Sequence, residues 1–288
     1  MIVEKHTVEK VANRQSIYTY LPGKSKKILS RKGIKKALSR GDVFVNGQKA
    51  TFDTPVKNGD QITIEEHLVV HHIYEAPLTV HFEDEHLALI EKPAGWVVSG
   101  NQFKTILNAL PYNLKKSKKE DALLHPLPVH RLDQPTHGLL LIAKTYSASV
   151  QLSQLFEERK IKKKYIALIH GFLNSNGNIT SPINGKKSAT YFRTIDQQKN
   201  KRGNHLTLIE LRPKTGRKHQ LRIHLSRLGF PIVGDKKYKK EEPHVKNKGL
   251  FLSAVGLQFV HPVHKEKIKI EIDLPKKFQR FLRLNSRQ

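Results

Sequence analysis

Apolar residues along this chain fall into short runs separated by turn residues, the pattern of a sheet-rich protein with a few amphipathic helices. In RKGIKKALSRGD, residues 31–42, Ile34, Ala37 and Leu38 share one side of a helix, while Lys32, Lys35, Lys36 and Arg40 gather on the other. Gly41 stops that helix. Alternating Val43 and Val45 then lead to an Asn46-Gly47 hairpin turn, and a second turn at Asn58-Gly59 precedes the strand QITIEE. Residues 1–23 carry little pattern and predict an arm or one short strand, and residues 67–77 read as a linker. The chain is therefore expected to form two domains, 1–75 and 76–288.

The second part is richer in strands. LTVHFEDEHLALIEKPAGWVVSG predicts two strands and a Lys92-Pro93-Ala94-Gly95 turn, a segment expected to be scaffolding. Residues 111–122 are polar and predict a mobile basic loop. Gly138 to Ala143 form a short buried strand, and TYSASVQLSQLFEERK a helix whose apolar side holds Val150, Leu152, Leu155 and Phe156. The strand KKYIALIHG carries Tyr165, and ATYFRTIDQ and HLTLIELRP alternate as strands around a basic hairpin. From near Thr215 a helix places Leu221, Leu225 and Leu228 on one stripe and His219, Arg222 and Ser226 opposite, with Gly229 and Pro231 as its stop. Two more strands and a closing helix, PKKFQRFLRLN, complete the chain. The fold class expected is α+β: a mixed, mostly antiparallel sheet with flanking helices, preceded by a small N-terminal α/β domain.

Composition narrows the partners. Among 288 residues, 52 Lys and Arg stand against 25 Asp and Glu, a formal net charge of +27, which implies a polyanionic partner. Nucleic acid leads; an anionic membrane surface is the competitor, but no hydrophobic span or secretory segment is visible. A cytoplasmic protein without a membrane role is expected. Cysteine is absent, so there is no disulfide framework and no thiol nucleophile, and the 16 histidines are scattered. Neither a metal nor a cofactor is expected.

The chemistry concentrates in VHRLDQPTHGLLLIAK, residues 129–144. Asp133 sits in a loop that enters a core strand, where a carboxylate is costly unless paired, and Arg131 and His130 are its local partners. A structural ion pair and a catalytic carboxylate both fit that spacing.

The segment HRLDQPTHGLLLIAK resembles the signature loop of the RluA-type pseudouridine synthases. Further segments resemble the same family: the apolar strand ending in Lys92-Pro93-Ala94-Gly95, the Lys-x-Tyr at Tyr165, and LRPKTGRKHQLRIHLSRLGFPIVGD, residues 211–235. Two positions depart from its pattern, His137 where a small hydroxyl residue is usual and Ser253 where histidine is common. Residues 29–64 resemble the S-four-type (alpha-L) RNA-binding motif.

The resemblance implies isomerisation of uridine to pseudouridine in structured RNA, ribosomal or transfer. Asp133 would be the catalytic aspartate, Arg222 its basic partner, Tyr165 the residue against the base, and Arg131 a wedge beside the flipped nucleotide. His130, Thr136, Arg217, His219 and Gln220 of the same motifs, with Lys32, Lys35, Lys36 and Arg40, would contact RNA. A monomer without an obligate protein partner is expected. The competing reading is a non-catalytic RNA-binding or ribosome-assembly factor, which has no use for the trio Asp133, Tyr165 and Arg222. A nuclease lacks a visible cluster of metal-binding carboxylates.

Overall fold

The computed structural model describes residues 2–11, 14–25, 28, 31–65, 73–199, 203–238 and 249–279. The chain divides into two compact units, Met1–His71 and His72–Gln288, a division that falls just ahead of position 75. Most of the linker expected over 67–77, the tip of the basic hairpin and most of the expected closing helix lie outside the described residues.

In the N-terminal unit the elements run β1 (Ile2–Thr7), β2 (Gln15–Ser16), α1 (Ile17–Tyr20), α2 (Arg31–Arg40), β3 (Val43–Val45), β4 (Gln48–Lys49), β5 (Pro55–Val56) and β6 (Gln61–Glu65). Four strands form a sheet in the order β1-β6-β3-β4, and β2 pairs with β5. Asn46 at φ 50° and Gly47 at φ 79° supply the two positive values that the tight β3–β4 turn requires. The first strand is longer than the unpatterned sequence suggests, because pairing to β6 rather than its own periodicity holds it. Helix α2 buries Ile34, Ala37 and Leu38 against the sheet core of Val43, Val45, Ile62 and Ile64. Lys32, Lys35, Lys36 and Arg40 are exposed, and Arg40 Nε donates to Asp42 Oδ2 at 2.7 Å.

The larger unit contains β7 (Thr79–Glu83), β8 (Leu87–Lys92), α3 (Ile106–Asn113), β9 (Ala122–Pro128), β10 (His137–Thr145), α4 (Tyr146–Glu157), β11 (Lys162–His170), β12 (Asn176–Ile179), β13 (Thr190–Lys199), β14 (His205–Pro213), α5 (Gln220–Arg227), β15 (Leu252–Val260) and β16 (Lys267–Glu271). Eight of these strands follow one another in the order β12-β13-β14-β11-β15-β10-β8-β7, with β16 on β15 and β9 on β10. Every pairing is antiparallel except the short contact of β10 with β15, at His137–Ser253 and Gly138–Ala254. Gly138 is required there: at φ 125° a side chain would be strained, and a Cβ would run into the Ala254 backbone.

Several expectations are corrected. Residues 111–113 end α3, with Pro111 inside the helix and Thr105 accepting the Asn108 N–H as its cap; the helix is too short for its periodicity to register. The polar loop that follows is tied down, since Lys115 N–H donates to Glu83 Oε1 and Lys118 N–H to Glu85 Oε2 at 2.8 and 2.7 Å. In α4 the buried residues are Ala148 and Leu152, one turn apart, with Leu155 and Phe156 packing behind them. Val150 lies off that face and is 42% exposed. Helix α5 begins only at Gln220, because His219 adopts the left-handed conformation at φ 56° and breaks the helix before it. Leu228 falls at the cap of α5 and is exposed rather than part of a core stripe.

Candidate active site

Sheet order brings together residues far apart in sequence. Asp133 lies in the turn between β9 and β10, Tyr165 in β11 and Arg222 in α5, which follows β14. Because β14, β11, β15 and β10 are consecutive in the sheet, their connected ends enclose a cavity of about 510 Å³ lined by Asp133, Tyr165, Arg222, His219, Lys163 and Leu252 among others.

Asp133 sits between two nitrogen groups. Arg222 Nη1 is 3.6 Å from its Oδ2 and His219 Nε2 is 3.7 Å from its Oδ1, with the carboxylate side chain 17% exposed. These separations exceed direct hydrogen bonds and leave the carboxylate reachable. The guanidinium itself is anchored elsewhere: Nε and Nη2 each donate to Asp235 at 2.7 Å, a bidentate pair with Asp235 fully buried. Burial opposes the Arg222 charge, but Asp235 and then Asp133 more than offset it and raise its pKa. Asp235 also accepts the Lys237 and Tyr238 N–H groups. Tyr238 completes the arrangement, with its ring 5.1 Å from the Arg222 guanidinium carbon and its hydroxyl 2.8 Å from His219 Nδ1. The tautomer that lets His219 Nε2–H face Asp133 is the one in which that hydroxyl donates to Nδ1. Burial, against the pull of Asp133, keeps His219 below its ordinary pKa and therefore neutral.

The Asp133 turn is buttressed by the Lys92–Gly95 turn. Lys92 is fully buried, and its ammonium donates to the carbonyls of Pro93, Trp96 and Gln134 at 2.8, 2.8 and 3.1 Å. Burial pushes it down to about 7, opposed by the charge of Asp133. Gly95 N–H donates to the Gln134 carbonyl at 2.8 Å, and Thr136 N–H closes the turn onto the Asp133 carbonyl. The segment is thus scaffolding that also carries a buried, titratable amine near enough to feel the charge of Asp133.

Tyr165 pairs across to Ala254 and Leu211 and packs into the cores on both sides. Burial first, and the Asp133 charge second, raise its hydroxyl well above the usual tyrosine range, so it stays protonated. Arg131 is exposed on the same loop as Asp133. Arg217 lines the cavity with its Nε donating to the Lys187 carbonyl.

Three of the residues expected to touch RNA are committed to the frame. Gln220 accepts from the Thr215 hydroxyl and Arg217 N–H and donates to the Ala189 carbonyl and Thr190 hydroxyl, which uses its amide completely. His130 Nε2 accepts the Leu141 N–H at 3.0 Å, and burial, with Lys163 nearby, pushes the ring down to about 3. Thr136 is buried in the turn. Sequence reasoning missed Lys92, Lys163, Asp235 and Tyr238. The Gly-Asp that ends the 211–235 segment was the available signal for Asp235, and the position of Lys163 two residues before Tyr165 was the signal for Lys163.

The two departures from the family pattern face each other. His137 and Ser253 are partners in the β10–β15 register, with His137 Nδ1 2.9 Å from the Ser253 hydroxyl and Nε2 2.7 Å from Glu91 Oε1. One hydrogen bond thus links the two departing positions.

Among the described residues, Asp84, His261 and His264 bring ligand-type atoms within 4.8 Å of one another. His261 Nδ1 accepts the N–H groups of Val263 and His264, so its proton resides on Nε2, 2.8 Å from Asp84. That nitrogen has no lone pair to offer a metal.

Residues 86–227 match the model of the RNA pseudouridylate synthase family. The ribosomal large subunit pseudouridine synthase C of Rickettsia typhi is 35% identical over 290 residues, covering 86% of this chain and 90% of the relative. The ribosomal large subunit pseudouridine synthase D of Zymomonas mobilis is 32% identical over 284 residues, covering 87% and 88%. Among solved structures, human RNA pseudouridylate synthase domain containing 4 aligns with a TM-score of 0.57 at 26% identity, covering 71% of this chain and 92% of that one. Its human counterpart domain containing 1 gives 0.58 at 23% identity, over 68% and 83%, a likeness of fold.

Proposed function

This chain belongs to the RluA-type RNA pseudouridine synthases, and from that membership we propose that its own residues turn a uridine of large-subunit ribosomal RNA into pseudouridine. The reaction breaks the C1′–N1 bond, turns the uracil, and joins C5 to C1′, with the C5 proton lost and N1 protonated; no atom is gained overall. Attack at C1′ and proton removal at C2′ both require an ionised carboxylate within reach of the ribose. Asp133 is that carboxylate. The observation that carries this reading is its place between the Arg222 guanidinium and the His219 imidazole in a cavity walled by Tyr165.

Arg222, 3.6 Å away, orients Asp133, being itself held by Asp235. Tyr165, protonated and apolar-faced, packs on the extruded uracil, and the exposed Arg131 fills the gap the base leaves. The N-terminal unit acts as an S-four-type RNA-binding domain, with Lys32, Lys35 and Lys36 meeting phosphates sequence-independently. The setting is cytoplasmic and the protein acts as a monomer; among the described residues no helix is long and apolar enough to cross a membrane.

The substrate reading is tested by incubating ribosomal and transfer RNA from cells lacking this protein with the purified chain and mapping new pseudouridines. Gain at discrete large-subunit positions is expected. Gain in transfer RNA alone would overturn the ribosomal assignment.

A further inference from the structure

The Asp133 turn has a second side. Beyond it lies a larger cavity, about 830 Å³, walled by Val97, Leu107, Leu127, Ser149 and Ser153. Arg131, Asp133, His219 and Arg222 line both cavities, so residues 129–133 stand as a partition between them. The far wall is fixed: the N–H groups of Ile106 and Leu107 donate to the Val97 and Val98 carbonyls at 3.0 and 2.9 Å. Two residues before Thr105, which bridges to Val97, Phe103 is 49% exposed and edge-on to Tyr74. Leu127, at 39% exposed, presents an apolar side chain to the same space. On α4, Ser149 and Ser153 lie one turn apart, and the Ser153 hydroxyl donates to the Ser149 carbonyl.

We infer that this second cavity is a subsite for the unpaired nucleotide that adjoins the target uridine. The inference rests on the RNA-modifying reading above. An RNA strand whose uridine reaches Asp133 must place the next nucleotide within one backbone repeat, and extrusion of the uridine removes that neighbour's stacking partner. This concavity shares Asp133 with the uridine chamber. Its chemistry suits a nucleoside: Val97, Leu107 and Leu127 cover a base face, serine hydroxyls and Gln134 offer edge contacts, and Arg131 stands on the partition, between the gap left by the extruded uridine and the nucleotide beside it. An apolar peptide would find no use for that arginine, and the +27 chain favours a polyanion.

The test uses the full chain on the RNA whose modified uridine has been mapped. Ser153→Trp fills the cavity from an exposed helix position, and Val150→Trp, exposed on the same helix but outside the lining, is its control. Both should melt like the wild type. Ser153→Trp should lower kcat/KM about tenfold and Val150→Trp should leave it unchanged. Replacing the neighbouring nucleotide by an abasic one should cost the wild type a similar factor and Ser153→Trp nothing further. Full activity of Ser153→Trp, an equal loss in Val150→Trp, or two losses that multiply would overturn the subsite alone. A wild type that modifies no RNA would overturn the functional reading, and the subsite with it.

Discussion

Asp133 and Asp235 share one guanidinium, and the shares are unequal: two hydrogen bonds of 2.7 Å go to Asp235, while Asp133 has the remaining nitrogen at 3.6 Å. The division has a physical purpose. A guanidinium locked to one buried carboxylate is pre-oriented for the other, so Asp133 keeps a nearby cation without being tied down by it. Asp133, Tyr165 and Arg222 are legible in the sequence because each belongs to a recognisable motif. Asp235 closes the 211–235 motif, but its role is not legible there, since a Gly-Asp pair reads as an ordinary turn until folding sets it against an arginine 13 residues earlier. Burial pushes the Asp235 carboxyl up, but Arg222 and two backbone N–H groups outweigh it and hold the group below its ordinary 3.8. Such a group stabilises the fold above the unfolded-state value and loses that contribution as pH falls through the lower folded value. Asp235→Asn should therefore cost about 3–5 kcal/mol at neutral pH, since it leaves a buried cation unpaired, and should flatten the loss of stability below about pH 4. Denaturant unfolding across pH measures both; an unchanged acid slope would contradict the pairing.

At the scale of elements, the strands are the legible part, because a strand buried on both faces reads as an unbroken apolar run. GLLLIA of β10 is one such run. Helices are read less well where tertiary structure overrides periodicity: α5 starts late because His219 is left-handed, and the partly buried side of α4 excludes Val150. Register is invisible in the sequence, and it is register that sets the departures at His137 and Ser253 against each other. They are hydrogen-bonded partners across the β10–β15 pair. His137→Ser should cost about 1–3 kcal/mol by leaving Glu91 and Ser253 without the imidazole. Adding Ser253→His should recover part of it, a coupling of about 1 kcal/mol in a double-mutant cycle. Strict additivity in thermal or denaturant unfolding would show that the two positions act independently.

For the whole molecule, charge and architecture divide the work. The formal charge of +27 announces a polyanion, and the chain folds as two units, Met1–His71 and His72–Gln288, of which the first holds RNA and the second does the chemistry in the reading proposed above. Composition reveals the partner class but not the site, because exposed lysines look alike whether solvated or bound to phosphate. Replacing Lys32, Lys35 and Lys36 together by Gln should weaken RNA binding uniformly across sequences and reduce the salt slope by about 2–3, with kcat on saturating RNA retained. Filter binding at several salt concentrations reads the slope, and an unaltered one would remove α2 from the RNA contact. The central claim is that Asp133 carries the isomerisation while the rest of the chain binds and positions. Its most direct test is tritium release from large-subunit ribosomal RNA labelled at uridine C5, with wild type beside Asp133→Asn and RNA affinity measured for both. Release by the wild type alone, at equal affinity, is the predicted result; release by Asp133→Asn at the wild-type rate would contradict it.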